Sequence, residues 1–282
     1  MSLAMASFIA NDALVKYVSE SLPTAQLIFL RGVFATVLLL GVAQAMGLLR
    51  AALGPDAGVL RHLLHRPVLL RAGLDALGTL AYLASLFHLP IGNATAITMA
   101  TPLFITLFAV LAWRESVNAA RWLAIVTGFA GVLFIVQPAA KDFNAWALVC
   151  LLGTLLQTAR DLVTRAIPRS VSSVLITVTT AIAVTLLAAL LSAVEGWQPV
   201  TPQHLALLLA ASVFLSAAYY LVIVGMRVGD MSVVAPFRYT GLLFALLVGW
   251  VVWGDIPNAL AWVGITLLVG AGLYMLHSER QR

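Results

Sequence analysis

The stretch Ala235-Pro-Phe-Arg-Tyr-Thr-Gly241 lies inside a run from about residue 231 to residue 254 that is otherwise almost entirely apolar. Pro236 lacks a backbone donor and Gly241 loosens a helix, so backbone carbonyls are freed at this point. Arg238 adds a full positive charge in the same turn. In hydrocarbon, a charge and a broken helix are tolerated only where protein or a watery cavity surrounds them. The stretch therefore predicts a membrane protein with a polar pathway, lined here by Arg238 and Tyr239.

The composition of the whole chain agrees with a membrane protein. Hydrophobic residues make up 62% of the 282 residues and charged residues 10%, whereas soluble domains carry about 25% charge. The net charge of +5 does not indicate nucleic acid as a partner, because the basic residues are spread over the ends of apolar segments. The single cysteine, Cys150, excludes an intrachain disulfide.

The apolar segments are long enough to cross a bilayer, for which a helix needs about 20 residues. We count ten, at about 2–19, 25–46, 67–88, 93–113, 117–136, 144–164, 172–194, 204–226, 231–254 and 258–277. We expect each to be a transmembrane helix and number them as the first to tenth spans. The first span starts almost at Met1, which leaves open a further segment upstream of it.

The charges of the loops predict that both termini lie in the cytoplasm. With this orientation the outer loops hold only Lys141. The inner loops and the tail hold twelve arginines: Arg50, Arg61, Arg66, Arg71, Arg114, Arg121, Arg160, Arg165, Arg169, Arg227, Arg280 and Arg282. The seven tryptophans all fall near predicted helix ends, as in an interfacial aromatic belt. We therefore expect a multi-pass protein of the cytoplasmic membrane.

The two halves of the chain resemble each other. Asp12-Ala-Leu-Val-Lys16 matches Asp161-Leu-Val-Thr-Arg165, an offset of 149 residues, and Gly92 matches Gly229. Because each half holds five spans, the second half enters the membrane from the opposite side. An inverted repeat is typical of alternating-access transporters, which bind their substrate near the midplane. A chance match between apolar helices is the alternative.

Three motifs carry a resemblance to a known family. They are Leu30-Arg31-Gly32 at the start of the second span, Pro102 in the fourth, and an acidic residue with Asn at the end of each half, Glu115 with Asn118 and Asp255 with Asn258. With these motifs the sequence resembles the EamA type of the drug/metabolite transporter superfamily over essentially its whole length. It departs from the pattern where Thr180 stands at the second-half position of Arg31.

The resemblance implies an all-α integral membrane fold. Ten transmembrane helices are expected as two inverted five-helix repeats, residues 1–137 and 144–277. It also implies cytoplasmic termini and export of small metabolites such as amino acids. Import of a vitamin-like aromatic compound such as riboflavin is a second possibility, and a channel or a membrane enzyme is a third of another class.

Charged residues inside the spans mark the candidate site, because each costs roughly 2.5–3.5 kcal/mol at a helix centre. Counting from the helix ends at ~1.5 Å per residue places Asp12 and Arg31 about 10 Å deep on the outer side. Asp75 and Arg238 share a depth on the inner side. We expect these pairs to form two ionic layers. Lys16, one helical turn after Asp12, is expected to join the outer layer. The alternative is a structural salt bridge near the headgroups, with Lys16 snorkelling.

Polar side chains elsewhere in the spans extend the predicted pathway. Tyr82, Tyr219 and Tyr220 each offer an apolar ring face and one hydroxyl, which suits a mixed ligand, although ordinary packing explains them as well. Gln157 could supply an amide, and Pro102 and Pro236 are expected to break their helices.

Asp75 is predicted to carry a coupling proton, with Arg238 as its partner in one state. Enzyme motifs for phosphate, zinc or acyl chemistry are absent from the sequence, so we expect no cofactor and no metal. Ala120, Ala124 and Gly128 recur every four residues and predict close packing against a neighbouring helix, or against another subunit in a homodimer.

Overall fold

The computed structural model describes residues 1–48, 65–113, 119–137, 143–164, 167–168, 171–228 and 235–280. Its α-helices are α1 (Ser2–Val18), α2 (Thr24–Ala45), α3 (Arg66–Leu86), α4 (Ile91–Thr98), α5 (Thr101–Trp113), α6 (Ala119–Val136), α7 (Trp146–Thr164), α8 (Ser173–Glu195), α9 (Pro202–Val228), α10 (Thr240–Val248) and α11 (Ala259–Arg280). A 3-10 helix, Ala235–Tyr239, precedes α10, and a π-helical turn, Gly249–Trp253, follows it. No strand occurs in these ranges.

Each of the ten predicted spans contains helix. Six helical stretches among the described residues are long and apolar enough to cross a membrane by length and composition: 24–45, 66–86, 91–108, 146–164, 173–195 and 202–222. The stretches 122–136, 237–253 and 259–275 are apolar but shorter. The first span, α1, has 17 residues and carries Asp12 and Lys16, which lower its apolar character.

The helix of the fourth span is interrupted, and the described part of the ninth span begins with a 3-10 helix. The fourth divides at Met99 and Ala100, directly before Pro102, and the hydroxyl of Thr101 donates to the Thr98 carbonyl at 2.7 Å. This hydrogen bond satisfies a carbonyl that the break leaves without a helical partner. In the ninth span, Pro236 lies in the 3-10 helix. Residues 231–234 of the predicted ninth span lie outside the described residues.

Contacts between helices mainly join one half of the chain to the other. The extensive packing pairs α3 with α7, α6 with α11, α2 with α8, and α1 with α9, and a smaller contact pairs α4 with α10. Glycines permit the close approach in two of these pairs. A Cβ on Gly153 would lie 3.2 Å from the Gly78 carbonyl oxygen, and a Cβ on Gly264 would lie 2.5 Å from the Gly131 carbonyl oxygen.

The small-residue face of the fifth span meets a helix of the same chain. Ala124 is buried, and a Cβ on Gly128 would overlap the side chain of Leu103 in α5. Of the two partners that the sequence left open, this face therefore contacts a neighbouring helix, while Ala120 is exposed.

Candidate functional site

The first polar cluster, which we call the Asp12 layer, consists of Asn11, Asp12, Arg31 and Tyr82. The Tyr82 hydroxyl donates to Asp12 Oδ2 at 2.7 Å, and the Asn11 amide donates to Asp12 Oδ1 at 2.9 Å. Arg31 Nη1 reaches Asn11 Oδ1 only at 3.5 Å. Asp12 and Arg31 are 9% and 6% exposed, and their charges interact although they form no ion pair with any described residue. This layer is closed and held by hydrogen bonds.

The second cluster, the Asp75 layer, consists of Arg71, Asp75, Arg160 and Asp161 on α3 and α7. Arg160 binds two carboxylates: its Nη1 lies 2.6 Å from Asp75 Oδ1, and its Nη2 lies 2.8 Å from Asp161 Oδ1. The Asp75 side chain is 7% exposed, that of Arg160 20% and that of Asp161 39%. This layer is therefore ion-paired and more accessible than the Asp12 layer.

Arg71 completes the second layer without an ion pair among the described residues. Its Nε donates to Thr164 Oγ1 at 3.0 Å, and its Nη1 donates to Thr180 Oγ1 at 2.6 Å. The charges of Asp75 and Asp161 act on it from a greater distance. Thr180, which stands at the second-half position of Arg31, thus supplies an acceptor where the first half supplies a cation.

The predicted pairing of Asp75 with Arg238 is wrong in this structure, since Arg160 takes that place. Arg238 is exposed on the 3-10 helix and makes no ion pair within the described part of the chain. The physical reason is that α7 packs against α3, so Arg160, one turn before the end of α7 at Thr164, reaches Asp75 across this contact.

Tyr219 lies on the inward face of α9, between the two layers. Ser212 and Leu208, two and three turns earlier on that face, are fully buried, yet Tyr219 is 38% exposed. Its ring meets that of Phe8 edge to face at 5.3 Å. Its hydroxyl interacts electrostatically with charged groups of both layers: Asp75, Arg160, Arg31 and Arg71. Accessible space therefore enters the bundle here.

Tyr220 does not belong to the site, contrary to the prediction. It is 67% exposed on the face of α9 that it shares with Leu209 and Val213, which are 43% and 50% exposed. Neighbouring helical residues point about 100° apart, so only one of the two tyrosines can face inward.

Lys16 was expected in the outer layer, and it lies elsewhere. It is 9% exposed, its Nζ donates to the Leu89 carbonyl, and it lies 5.3 Å from the centre of the Trp253 ring. Its charge interacts with Asp255 and Glu20 and not with Asp12. Lys16 therefore fixes α1 to the turn before α4 through these contacts.

The other predicted pathway residues differ in position. Gln157 precedes Arg160 by one turn on α7, is partly buried, and makes no side-chain hydrogen bond within the described residues. Tyr239 is 9% exposed and packs against Gly272 of α11, with a buried hydroxyl that has no hydrogen-bond partner among the described residues. Tyr239 therefore faces a helix contact and not open space, which corrects its assignment to the pathway.

Arg71 and Arg160 are the residues that the sequence reasoning missed, because both were counted with the inner-loop arginines. The internal repeat could have found Arg160. Asp161 matches Asp12, so the adjacent Arg160 matches Asn11 and is expected at an equal depth from the opposite membrane surface. Removing both from the count of twelve leaves ten arginines against Lys141, and the bias in loop charge persists.

Comparisons with known proteins agree on one kind of protein. The model of the EamA-like transporter family matches residues 1–137 and 144–276. A riboflavin transporter of Rhizobium johnstonii is 33% identical over 214 residues, which cover 76% of this chain and 71% of that protein. An S-adenosylmethionine uptake transporter of Rickettsia bellii is 25% identical over 279 residues, covering 99% and 92%.

Two further matches cover nearly the whole chain. The pseudopaline exporter CntI of Pseudomonas aeruginosa is 26% identical over 280 residues, covering 99% of this chain and 95% of that protein. A solved crystal structure aligns with a TM-score of 0.63 at 18% identity, covering 99% of this chain and 97% of the other. At that identity the match concerns the fold alone.

Proposed function

This chain belongs to the EamA-like transporter family, and we propose that it is a secondary active transporter that exports a small metabolite, an amino acid or a related compound, across the cytoplasmic membrane by alternating access. It is a multi-pass membrane protein, and its family and relatives are named as transporters and not as enzymes. Those relatives include both uptake and export proteins. Export is proposed from the resemblance that the sequence motifs carry.

The fold in this proposal has ten transmembrane helices in two inverted five-helix repeats. If each span of the first half corresponds to the span five places later, exchanging the halves turns the contact between α1 and α9 into the contact between α7 and α3. The contacts of α2 with α8, α6 with α11, and α4 with α10 map onto themselves. These main contacts obey the exchange, which supports a pseudo-two-fold relation between the halves.

Direct contact between two equivalent residues adds support. Thr36 and Thr185 are 185 − 36 = 149 positions apart, the same offset as Asp12 and Asp161, and their hydroxyl oxygens lie 3.3 Å apart. Equivalent residues of two repeats meet where they lie on the axis that relates them.

The proposed mechanism rests on two equivalent tyrosine–aspartate pairs, of which one is joined by a hydrogen bond and the other is not. Tyr82 is bonded to Asp12 at 2.7 Å. Their counterparts are Asp161, at the offset of 149, and Tyr219, at 219 − 82 = 137, the offset of Gly92 and Gly229. Tyr219 and Asp161 share no hydrogen bond, and both are accessible. In alternating access the two repeats exchange conformations, so the second pair closes when the first opens.

With cytoplasmic termini, the accessible Asp75 layer faces the cytoplasm and the Asp12 layer closes the outer side. This orientation rests on the loop charges. A C-terminal reporter that fluoresces only in the cytoplasm is expected to be bright. A dark reporter would overturn the orientation and with it the assignment of the open side.

A second candidate function is uptake of a vitamin-like aromatic compound such as riboflavin. The relative at 33% identity that is named a riboflavin transporter favours it, as does the accessible aromatic ring of Tyr219. A channel, the alternative from another class, would need a continuous pore, whereas the hydrogen bonds of the Asp12 layer close one side.

Counterflow in proteoliposomes tests the proposal. Vesicles containing the purified protein are loaded with one compound from a panel of amino acids, nucleosides and vitamins, and entry of the labelled compound is followed. A carrier is expected to give saturable flux that internal compound stimulates. Flux that neither saturates nor responds to internal compound would assign a channel, and stimulation by riboflavin alone would assign the second candidate.

A further inference from the structure

Arg31 is a buried cation whose hydrogen-bonding capacity is almost unused. A guanidinium carries five N–H donors, yet the side-chain hydrogen bond that Arg31 makes is 3.5 Å long, and its Nε has no partner among the described residues. Arg160, in contrast, binds two carboxylates. The Arg31 backbone is fixed, since its carbonyl accepts from the Ser212 hydroxyl at 3.1 Å. A buried charge without a partner is costly, so the guanidinium is suited to bind an anionic group.

Asp12 likewise leaves acceptor sites of its carboxylate unused. It accepts two hydrogen bonds, from Asn11 and Tyr82, but no cation contacts it within the described residues. An ionised carboxylate has about four acceptor sites, so roughly half of its capacity is free. Asp12 and Arg31 thus place opposite charges in one buried layer without joining them.

We infer that Arg31 and Asp12 bind the zwitterionic head group of an α-amino acid, or of a compound that contains one, as the transported substrate. The carboxylate of the substrate takes the two-pronged contact that a guanidinium offers, and its ammonium group takes the free acceptor sites of Asp12. A zwitterion brings no net charge into the membrane interior, whereas a bare anion or cation would unbalance the layer. This inference rests on the proposed function and specifies its substrate class.

The accessible half of the bundle indicates where the rest of the substrate lies. Tyr219 is 38% exposed, and the charges of both Arg31 and Asp75 act on its hydroxyl. A substrate head group bound at Arg31 would therefore extend its side chain along the Tyr219 ring. A flat or apolar side chain suits that surface.

The test uses three probes with the same indole ring: L-tryptophan, L-tryptophanamide, which lacks the carboxylate, and indole-3-propionate, which lacks the ammonium group. Binding to the full-length protein in detergent is measured by calorimetry. Tryptophan is expected to bind at least about tenfold more tightly than either analogue. Arg31→Gln should abolish the preference over the amide, and Asp12→Asn should abolish the preference over the propionate.

Each variant loses a different preference, and this separates recognition from a structural role. A merely structural side chain would weaken all three probes equally, and that result would overturn the inference. Tyr220→Phe, on the outward face of α9, is the matched control and should keep all three affinities. If Arg31→Gln does not fold, Arg31→Lys serves in its place, because lysine keeps the charge but loses the two-pronged contact.

A screen of all common amino acids against their amides removes the dependence on the indole ring. Failure of every amino acid to bind overturns the inference. Riboflavin, which has neither a carboxylate nor an ammonium group, then decides whether the proposed transport function fails as well. Counterflow of riboflavin in the same preparation would leave the protein a carrier with a different substrate.

Discussion

The Asp12 layer and the Asp75 layer use similar residues in opposite ways. Each half of the chain keeps an aspartate at the equivalent position, Asp12 or Asp161, but the cation moves: Arg31 on α2 in the first half, Arg160 beside the aspartate in the second. As a result the first layer is closed by hydrogen bonds and holds an arginine with no ion pair among the described residues, while the second is neutralised and accessible. The difference separates substrate recognition in one layer from charge compensation in the other.

The largest effect is expected from Arg160→Ala. This substitution leaves Asp75, whose side chain is 7% exposed, without its cation. Breaking a buried ion pair from one side costs about 3–5 kcal/mol, reduced here because Arg160 is partly exposed. We expect loss of transport and a lowered unfolding temperature in detergent.

The control for this prediction is the double variant Asp75→Asn with Arg160→Gln, which leaves no unpaired charge between the two helices. It should recover much of the lost stability without recovering transport. An unchanged unfolding temperature in Arg160→Ala would mean that the ion pair does not hold α3 to α7.

The single substitution Asp75→Asn tests whether transport is coupled to a proton gradient through the Asp75 layer. Arg160 binds both Asp75 and Asp161, so its guanidinium can also pair with Asp161 alone. We propose that Asp75 carries a proton in the state in which Arg160 has left it. The variant should lose gradient-driven accumulation in proteoliposomes and keep exchange. Normal accumulation would leave the Asp75–Arg160 contact as a purely structural pair.

Tyr82→Phe and Tyr219→Phe compare the two equivalent tyrosines, because each substitution removes one hydroxyl and nothing else. The first removes a hydroxyl that donates to Asp12 at 2.7 Å, and a hydrogen bond to a charged group contributes about 1.5–3 kcal/mol. The second removes a hydroxyl that has no hydrogen-bond partner in the described structure. Thermal unfolding should therefore show a loss for Tyr82→Phe and almost none for Tyr219→Phe. Equal losses would remove the asymmetry between the layers.

The smallest effect is expected from Arg238→Lys. Arg238 is exposed and makes no ion pair with either layer in the described part of the chain, so retaining the charge should retain most transport when flux is normalised to inserted protein. Under the pairing expected from the sequence, this substitution would have impaired transport. A severe defect would restore Arg238 to the pathway.

The sequence predicted what depends on helix length and depth. Runs of apolar residues located the spans, Pro102 marked the interruption of the fourth span, and counting along α1 and α2 brought Asp12 and Arg31 to one layer. The break expected at Pro236 stays a prediction, since residues 229–234 lie outside the described residues. The family resemblance is confirmed by the match to the EamA-like transporter family.

Helix length and depth do not tell which side of a helix a residue faces. Depth placed Arg238 beside Asp75 and left Arg160 among the inner-loop arginines, although the packing of α7 on α3 makes Arg160 the partner. Depth also could not choose between Tyr219 and Tyr220 as the inward residue. Lys16 shares a helix face with Asp12 by spacing, but its long side chain reaches the Leu89 carbonyl on another part of the chain. Each of these outcomes depends on the neighbours that a helix packs against.

Alternating closure of the two layers can be measured with cysteines at equivalent positions. Val15 and Thr164 are 164 − 15 = 149 positions apart, and each follows its layer's aspartate by three residues. Val15 is fully buried and Thr164 is partly exposed. The chain's single native cysteine, Cys150, is buried and can be replaced by alanine.

A bulky membrane-impermeant thiol reagent is applied to each side of vesicles that carry Val15→Cys, Thr164→Cys or both. Alternating access predicts that Thr164→Cys reacts only from the Asp75 side and Val15→Cys only from the Asp12 side. Modification of the first should then abolish reaction at the second, because the trapped protein cannot open the other layer. Independent reaction of both cysteines in the double variant, or reaction of either one from both sides, would contradict the mechanism.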